Sequence, residues 1–197
     1  MPNIFKFLLI FLVGYLSLTS LSYVKGVRSV AIPVYNAFQQ MTFNIFHPTI
    51  RTDFKSYEGD AEQFDFSIYI YSAQEYKLAG NKNAVQPHVI SNQNARITAF
   101  GPFIMFIALI IASPITWKRK LLSLAIGGLL VYILLSMKYT ALFDANMDTL
   151  KPSSSIWVSL SNLFSQAFRT HEFLTLMIVP IWALSSFRLK DWKWFLE

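Results

Sequence analysis

Two apolar runs joined by a short basic turn constrain this chain more than any other feature. The first, AFGPFIMFIALIIASPI, carries no charged side chain from Ala99 to Ile115, and the second, LLSLAIGGLLVYILLSM, carries none from Leu121 to Met137. Each has about the 17–25 residues that a helix needs to cross a bilayer core. Between them Trp117 precedes three consecutive cations, Lys118, Arg119 and Lys120, which would be costly in hydrocarbon and favour the cytoplasmic face. Residues 97–137 therefore read as a transmembrane hairpin with its tight turn inside the cell.

Composition agrees. Of 197 residues, 54% are hydrophobic and only 14% charged, with a mean hydropathy of +0.40, against about 25% charged in soluble domains. The formal charge of +6 would suggest a nucleic-acid partner if it were spread over a surface. It is instead placed at the ends of apolar runs, on Lys6, Lys118, Arg119, Lys120, Arg188, Lys190 and Lys193. That is the positive-inside pattern, so no nucleic-acid partner is expected. There is no cysteine, which removes disulfides, thiolate metal sites and cysteine nucleophiles together.

Residues 1–24 begin with an apolar run interrupted only by Lys6. Ser20-Leu21-Ser22 loosely resembles a signal-peptide cleavage site, but the run exceeds the usual h-region, which favours an uncleaved anchor. Residues 25–96 are far more polar and read as a small β-rich extracytoplasmic domain. From Phe64 to Tyr71 the chain alternates, which puts Phe64, Phe66, Ile68 and Ile70 on one face of a strand. Residues 41–45 alternate likewise, and residues 30–34 offer a further strand, with turns at His47-Pro48, Glu58-Gly59-Asp60 and Ala79-Gly80-Asn81. Residues 80–94, rich in Asn and Gln, read as a mobile loop.

Within the hairpin, Pro102 suits the start of a helix and Pro114 a kink or stop. Gly127-Gly128 would let another helix approach closely, and Lys138 with Tyr139 would mark the outer interface. Residues 138–170 return outside the membrane, with a polar linker and an amphipathic, interfacial helix over residues 156–168. Residues 171–197 hold a last, marginally long apolar helix, then a basic tail with Trp192 and Trp194 as an interface anchor.

Chemistry is sparse. His47, His88 and His171 are far apart, and the acidic cluster Glu58, Asp60, Glu62 and Asp65 lacks the spacing of a calcium loop. No phosphate-loop, dinucleotide, nucleophile-elbow or zinc-protease pattern occurs. The two apolar runs hold no ionisable group of the kind that ion pathways and proton relays use. No catalytic residue, cofactor or metal is expected.

The segment IALIIASPITWKRKLLSLAIGGLLVYI and the later IVPIWAL resemble the small exosortase-associated membrane proteins of bacteria, particularly the exosortase H-associated type. The resemblance rests on Ala112-Ser113-Pro114, the basic turn, Gly127-Gly128 and Pro180-Ile181-Trp182, and covers about half the chain. It implies an accessory role beside an exosortase, which processes tagged exported proteins. The family's enzyme uses a cysteine nucleophile, which this chain lacks, so no catalytic residue is carried over.

The expected fold is an α-helical integral membrane protein of about four transmembrane helices. It carries a small β-rich extracytoplasmic domain between the first and second, and both termini lie in the cytoplasm. The expected function is a non-enzymatic accessory or scaffold subunit of a protein-sorting or export complex in the bacterial inner membrane. Its partners would be the bilayer and a larger membrane subunit, reached through Phe64, Phe66, Ile68 and Ile70 and through Gly127 and Gly128. The alternative is a membrane enzyme acting on a lipid-linked or glycan substrate, with Asp144, Asp148, Arg169, His171 and Glu172 converging at the outer interface. A channel formed by oligomerisation is a third reading.

Overall fold

The computed structural model describes residues 3–46, 50–57, 64–78, 85–95, 100–144 and 171–187. In chain order the elements are α1 (Asn3–Ser22), α2 (Lys25–Phe46), β1 (Ile50–Ser56), β2 (Phe66–Ser72), α3 (Ala73–Leu78), β3 (Val89–Gln93), α4 (Gly101–Ala112), α5 (Trp117–Asp144) and α6 (His171–Ser186). They form two cores, one in a helical bundle and one in a mixed head.

The bundle consists of α1, α4, α5 and α6, with α4 packed against each of the other three. Phe7 of α1, Phe106 and Ile110 of α4, Leu135 of α5 and Ile178 of α6 share its core. Phe7 stacks on Trp182 at 5.6 Å between ring centroids, and Phe187 meets the same indole edge-on at 5.1 Å.

Sequence dictates where α4 stops. Proline at 114 disfavours helical geometry in the residue before it, and Ser113 is extended with φ −62° and ψ 134°. Its N–H still reaches the carbonyls of Leu109 and Ile110, and its Oγ donates to the Leu109 carbonyl. Trp182 Nε1 then donates to the same Oγ at 2.8 Å. The Ala-Ser-Pro and Pro-Ile-Trp stretches are thus joined by one buried hydrogen bond.

The two glycines of α5 differ. A Cβ on Gly127 would lie 2.2 Å from the Phe106 ring and 2.8 Å from Ser185 Oγ, whereas a Cβ on Gly128 would meet nothing within 4 Å. Gly127 is therefore where α4 and α6 close on α5. Overpacking a formed core costs about 1–3 kcal/mol, so Gly127→Ala should lower the unfolding midpoint in detergent while Gly128→Ala leaves it unmoved. Equal midpoints for the two variants would remove this contact from the bundle.

The head is built on α2 and a three-stranded antiparallel sheet of order β1-β2-β3. Thr52 pairs with Ile70 and Phe54 with Ile68 across β1 and β2, and Ile68 faces Ser91 of β3. Phe66, Ile68 and Ile70 are fully buried among Ile32, Tyr35 and Phe43 of α2, Phe54 of β1 and Tyr139 of α5. Burying each such side chain stabilises by about 1.5–3 kcal/mol. The outer edge of β1 is covered by Asn44, whose amide accepts from the Thr52 N–H at 2.8 Å and donates to the Thr52 carbonyl at 3.1 Å. A side chain here does what a neighbouring strand would do, and blunts an exposed edge.

Several expectations are corrected. Residues 30–34 and 41–45 lie in α2, not in strands, so the β-rich domain is a mixed one. Val30, Val34, Met41 and Ile45 lie on one face of the helix at spacings of four and seven, and five-residue windows of such a helix imitate alternation. Phe64 precedes β2 and packs its ring on Tyr57. Within residues 80–94, β3 replaces part of the loop, while residues 80–84 lie outside the described residues.

Among the described residues two helices, α1 and the Trp117–Tyr139 stretch of α5, are long and apolar enough to cross a membrane, and α4 and α6 are shorter apolar helices. At 12 residues α4 rises only about 18 Å, short of the expected span over residues 99–115. Helix α5 runs on to Asp144, beyond the expected boundary at 137; Lys138 and Tyr139 are buried rather than placed at an open rim, Tyr139 in the core of the head. The helix expected over residues 156–168 and the basic tail lie outside the described residues.

Candidate functional site

The most distinctive constellation is the seam between α2 and the last turns of α5. Tyr35 donates to the Tyr139 hydroxyl at 3.2 Å. Tyr132 donates to the Phe38 carbonyl at 2.9 Å and also bonds Thr42. The seam fixes the head to the bundle at two heights on α5.

A second constellation closes the head. Arg28 of α2 forms an ion pair with Asp65, whose carboxylate is fully buried. The same carboxylate accepts the Ala95 N–H at 2.8 Å. The Asp65 main chain is also engaged, donating to the Gln93 carbonyl and accepting from the Tyr57 N–H. Beside the pair opens a cleft of about 380 Å³ lined by Lys25, Arg28, Ser29, Ser56 and Asp65 among others.

Other polar groups are also engaged within the fold. Asp53 accepts from Gln40 at 3.0 Å, and His88 pairs with Glu75 at 2.9 Å on the surface. No group of three or more His, Asp or Glu among the described residues could hold a metal ion. The opposite face of the sheet, where Ser67 and Tyr71 are buried, is open around Lys55 and Ile90. Lys55 lies over the Tyr69 ring at 5.1 Å, and Ile90, cross-strand from Tyr69, is 55% exposed.

The expected contact residues separate accordingly. Phe66, Ile68 and Ile70 meet as a face, and α2 and Tyr139 fill that face from within the chain. Phe64 is half-buried beside them. Gly127 is used inside the bundle, and Gly128 alone of the pair faces open space. For the alternative set, α5 and α6 pack together, with Ser123 near the start of α5 donating to the Ser185 carbonyl at the end of α6. This antiparallel pairing puts the Asp144 end of α5 and the His171 end of α6 toward the same end of the bundle. Asp148, Arg169, His47, Glu58, Asp60 and Glu62 lie outside the described residues.

The Arg28–Asp65 pair and the tyrosine seam were not expected from sequence. Thirty-seven residues separate Arg28 from Asp65, and no local spacing links them. No family model matches the chain, and no curated protein or solved structure matches it either.

Proposed function

We propose that the chain is a non-enzymatic accessory subunit of a protein-sorting or export complex in the bacterial inner membrane. In this reading α1, α4, α5 and α6 form the membrane bundle, the head stands on the outer side, and both termini are cytoplasmic. The observation that carries the membrane reading is apolar surface left open along the bundle. Leu8, Val13 and Leu16 of α1 and Leu122 and Leu129 of α5 are each 52–60% exposed. A core helix of a soluble protein buries such side chains, whereas lipid solvates them.

Charge supports the orientation. Lys6 near the start of α1 and Lys118, Arg119 and Lys120 at the start of α5 lie at the end of the bundle away from the head. Asn3 and Phe187, the first and last described residues, lie at that end as well, and positive charge favours the cytoplasmic side. The pairing of Asp65 with Arg28, Asp53 with Gln40 and Glu75 with His88 supports a scaffold over an enzyme. The partner surface moves from the buried strand face to the open sheet face around Lys55, Tyr69 and Ile90, with Gly128 as the contact for a larger membrane subunit.

Affinity purification of the tagged protein in mild detergent, followed by mass spectrometry, tests this. A stoichiometric membrane enzyme or secretion component is expected, retained by wild type and lost from Ile90→Asp or Gly128→Leu. A self-associated protein with nothing bound would turn the reading toward the enzyme or channel.

A further inference from the structure

Helix α2 is apolar on two sides. Ile32, Tyr35, Asn36, Gln39 and Phe43 are buried against the sheet and α5. On the opposite side Val27, Val30, Val34, Phe38, Met41 and Ile45 form a stripe, each 37–66% exposed. Their steps of three and four residues follow the helical repeat. After Arg28 the helix carries no charged side chain up to Phe46. Its polar groups are turned to the protein: Gln40 donates to Asp53, Thr42 bonds Tyr132 and Asn44 bonds Thr52.

We propose that this stripe is covered by the outer leaflet of the bilayer, so that α2 is a lipid-immersed helix and the head begins inside the membrane. The proposal rests on the membrane reading of the bundle given above. Its depth follows from the seam. Tyr35 meets Tyr139, at the end of the apolar stretch of α5, whereas Phe38 and Thr42 meet Tyr132. Seven helical residues correspond to about 10 Å, so the second half of α2 descends along the apolar part of α5.

Connectivity and charge agree. Only Tyr23 and Val24 separate α1 from α2, so α2 starts where a membrane-crossing helix surfaces. Of its two cations, both in the first turn, Arg28 is turned inward to Asp65, which leaves Lys25 as the long cationic side chain that can reach lipid phosphates. At the same end, an apolar crevice of about 230 Å³ opens between α1, α2 and α4, lined by Leu18, Leu21, Val27, Ala31, Phe103 and Ile107 among others. Val27 belongs to both stripe and crevice, which makes one continuous apolar surface from α1 onto α2. Water would leave that surface unsatisfied, and an amphipathic helix at a bilayer interface buries such a face.

The absence of native cysteine makes the test direct. Full-length protein carrying Val34→Cys, Phe38→Cys or Met41→Cys is labelled with a small fluorophore and placed in phosphatidylglycerol–phosphatidylcholine vesicles. Each is quenched in turn by doxyl-labelled lipid and by aqueous iodide. Leu129→Cys on α5 reports the membrane reading itself, and Lys55→Cys on the open sheet face reports water. The stripe positions should lose most of their fluorescence to doxyl lipid and little to iodide, as Leu129→Cys does, with Lys55→Cys showing the reverse. Quenching of the stripe by iodide while Leu129→Cys responds to lipid would overturn the proposal and leave the bundle reading intact. Protection from both quenchers would overturn it in favour of a second copy or a protein partner. Iodide quenching at Leu129→Cys would remove the bundle reading, and this proposal with it.

Discussion

Phe66→Ala should destabilise the head by about 3–5 kcal/mol, the cost of emptying a filled aromatic site. Phe66 is fully buried at the middle of a ring cluster, 6.1 Å from Tyr35 and 6.0 Å from Phe54 between centroids. Phe54 in turn meets Tyr139 edge-on at 6.4 Å. Removing the ring therefore opens a cavity where α2, the sheet and α5 meet. Phe64→Ala, two residues earlier and half-buried against Tyr57, should cost about 1 kcal/mol or less. Spectroscopy separates the two cores. All five tryptophans lie outside residues 25–95, so in a background with Trp117, Trp157, Trp192 and Trp194 replaced by Phe, near-ultraviolet tyrosine dichroism follows the head and the fluorescence of Trp182 follows the bundle. The tyrosine signal of Phe66→Ala should melt early with Trp182 fluorescence little changed. An unchanged tyrosine transition would return the Phe66, Ile68 and Ile70 face to the surface, as a partner contact.

The sequence made the long apolar helices and the central strand legible because each repeats one simple pattern. β2 alternates, with Phe66, Ile68 and Ile70 on the face packed against α2, and α5 carries no charged side chain from Leu121 to Met137. β1 carried the same signal, with Ile50, Thr52 and Phe54 inward and Arg51, Asp53 and Lys55 between them, but three charges in seven residues masked it. Helix α2 misled for a physical reason. A helix that is apolar toward both the sheet and the opposite side contains short windows of alternation, and only the full run from Val27 to Ile45 shows the longer period. The candidate contacts were less legible still. An apolar strand face looks the same whether a partner or the chain's own helix covers it. Likewise two adjacent glycines point about 100° apart on a helix, which sends Gly127 into the bundle and Gly128 out of it.

Asp65→Ala should destabilise the head by about 3 kcal/mol, because removing one member of a buried pair strands the other. Asp65 has no exposed side-chain surface and Arg28 is 19% exposed, so solvent could reach the stranded guanidinium only in part. The Ala95 N–H would lose its acceptor as well, an added cost of the order of 1 kcal/mol. Asp65→Asn keeps a carbonyl for Ala95 but not the charge, so it should fall between the wild type and Asp65→Ala. Adding Arg28→Met to Asp65→Asn removes the stranded cation, and most of the lost stability should return, since apolar replacement of a whole pair is often neutral. Protease resistance of the head, read alongside its tyrosine transition, measures all four proteins. If Arg28→Met brings no recovery in the Asp65→Asn background, the two residues do not act as a unit. The junction of α2, the sheet and the approach to α4 would then depend on the Asp65 main-chain bonds to Tyr57 and Gln93 alone.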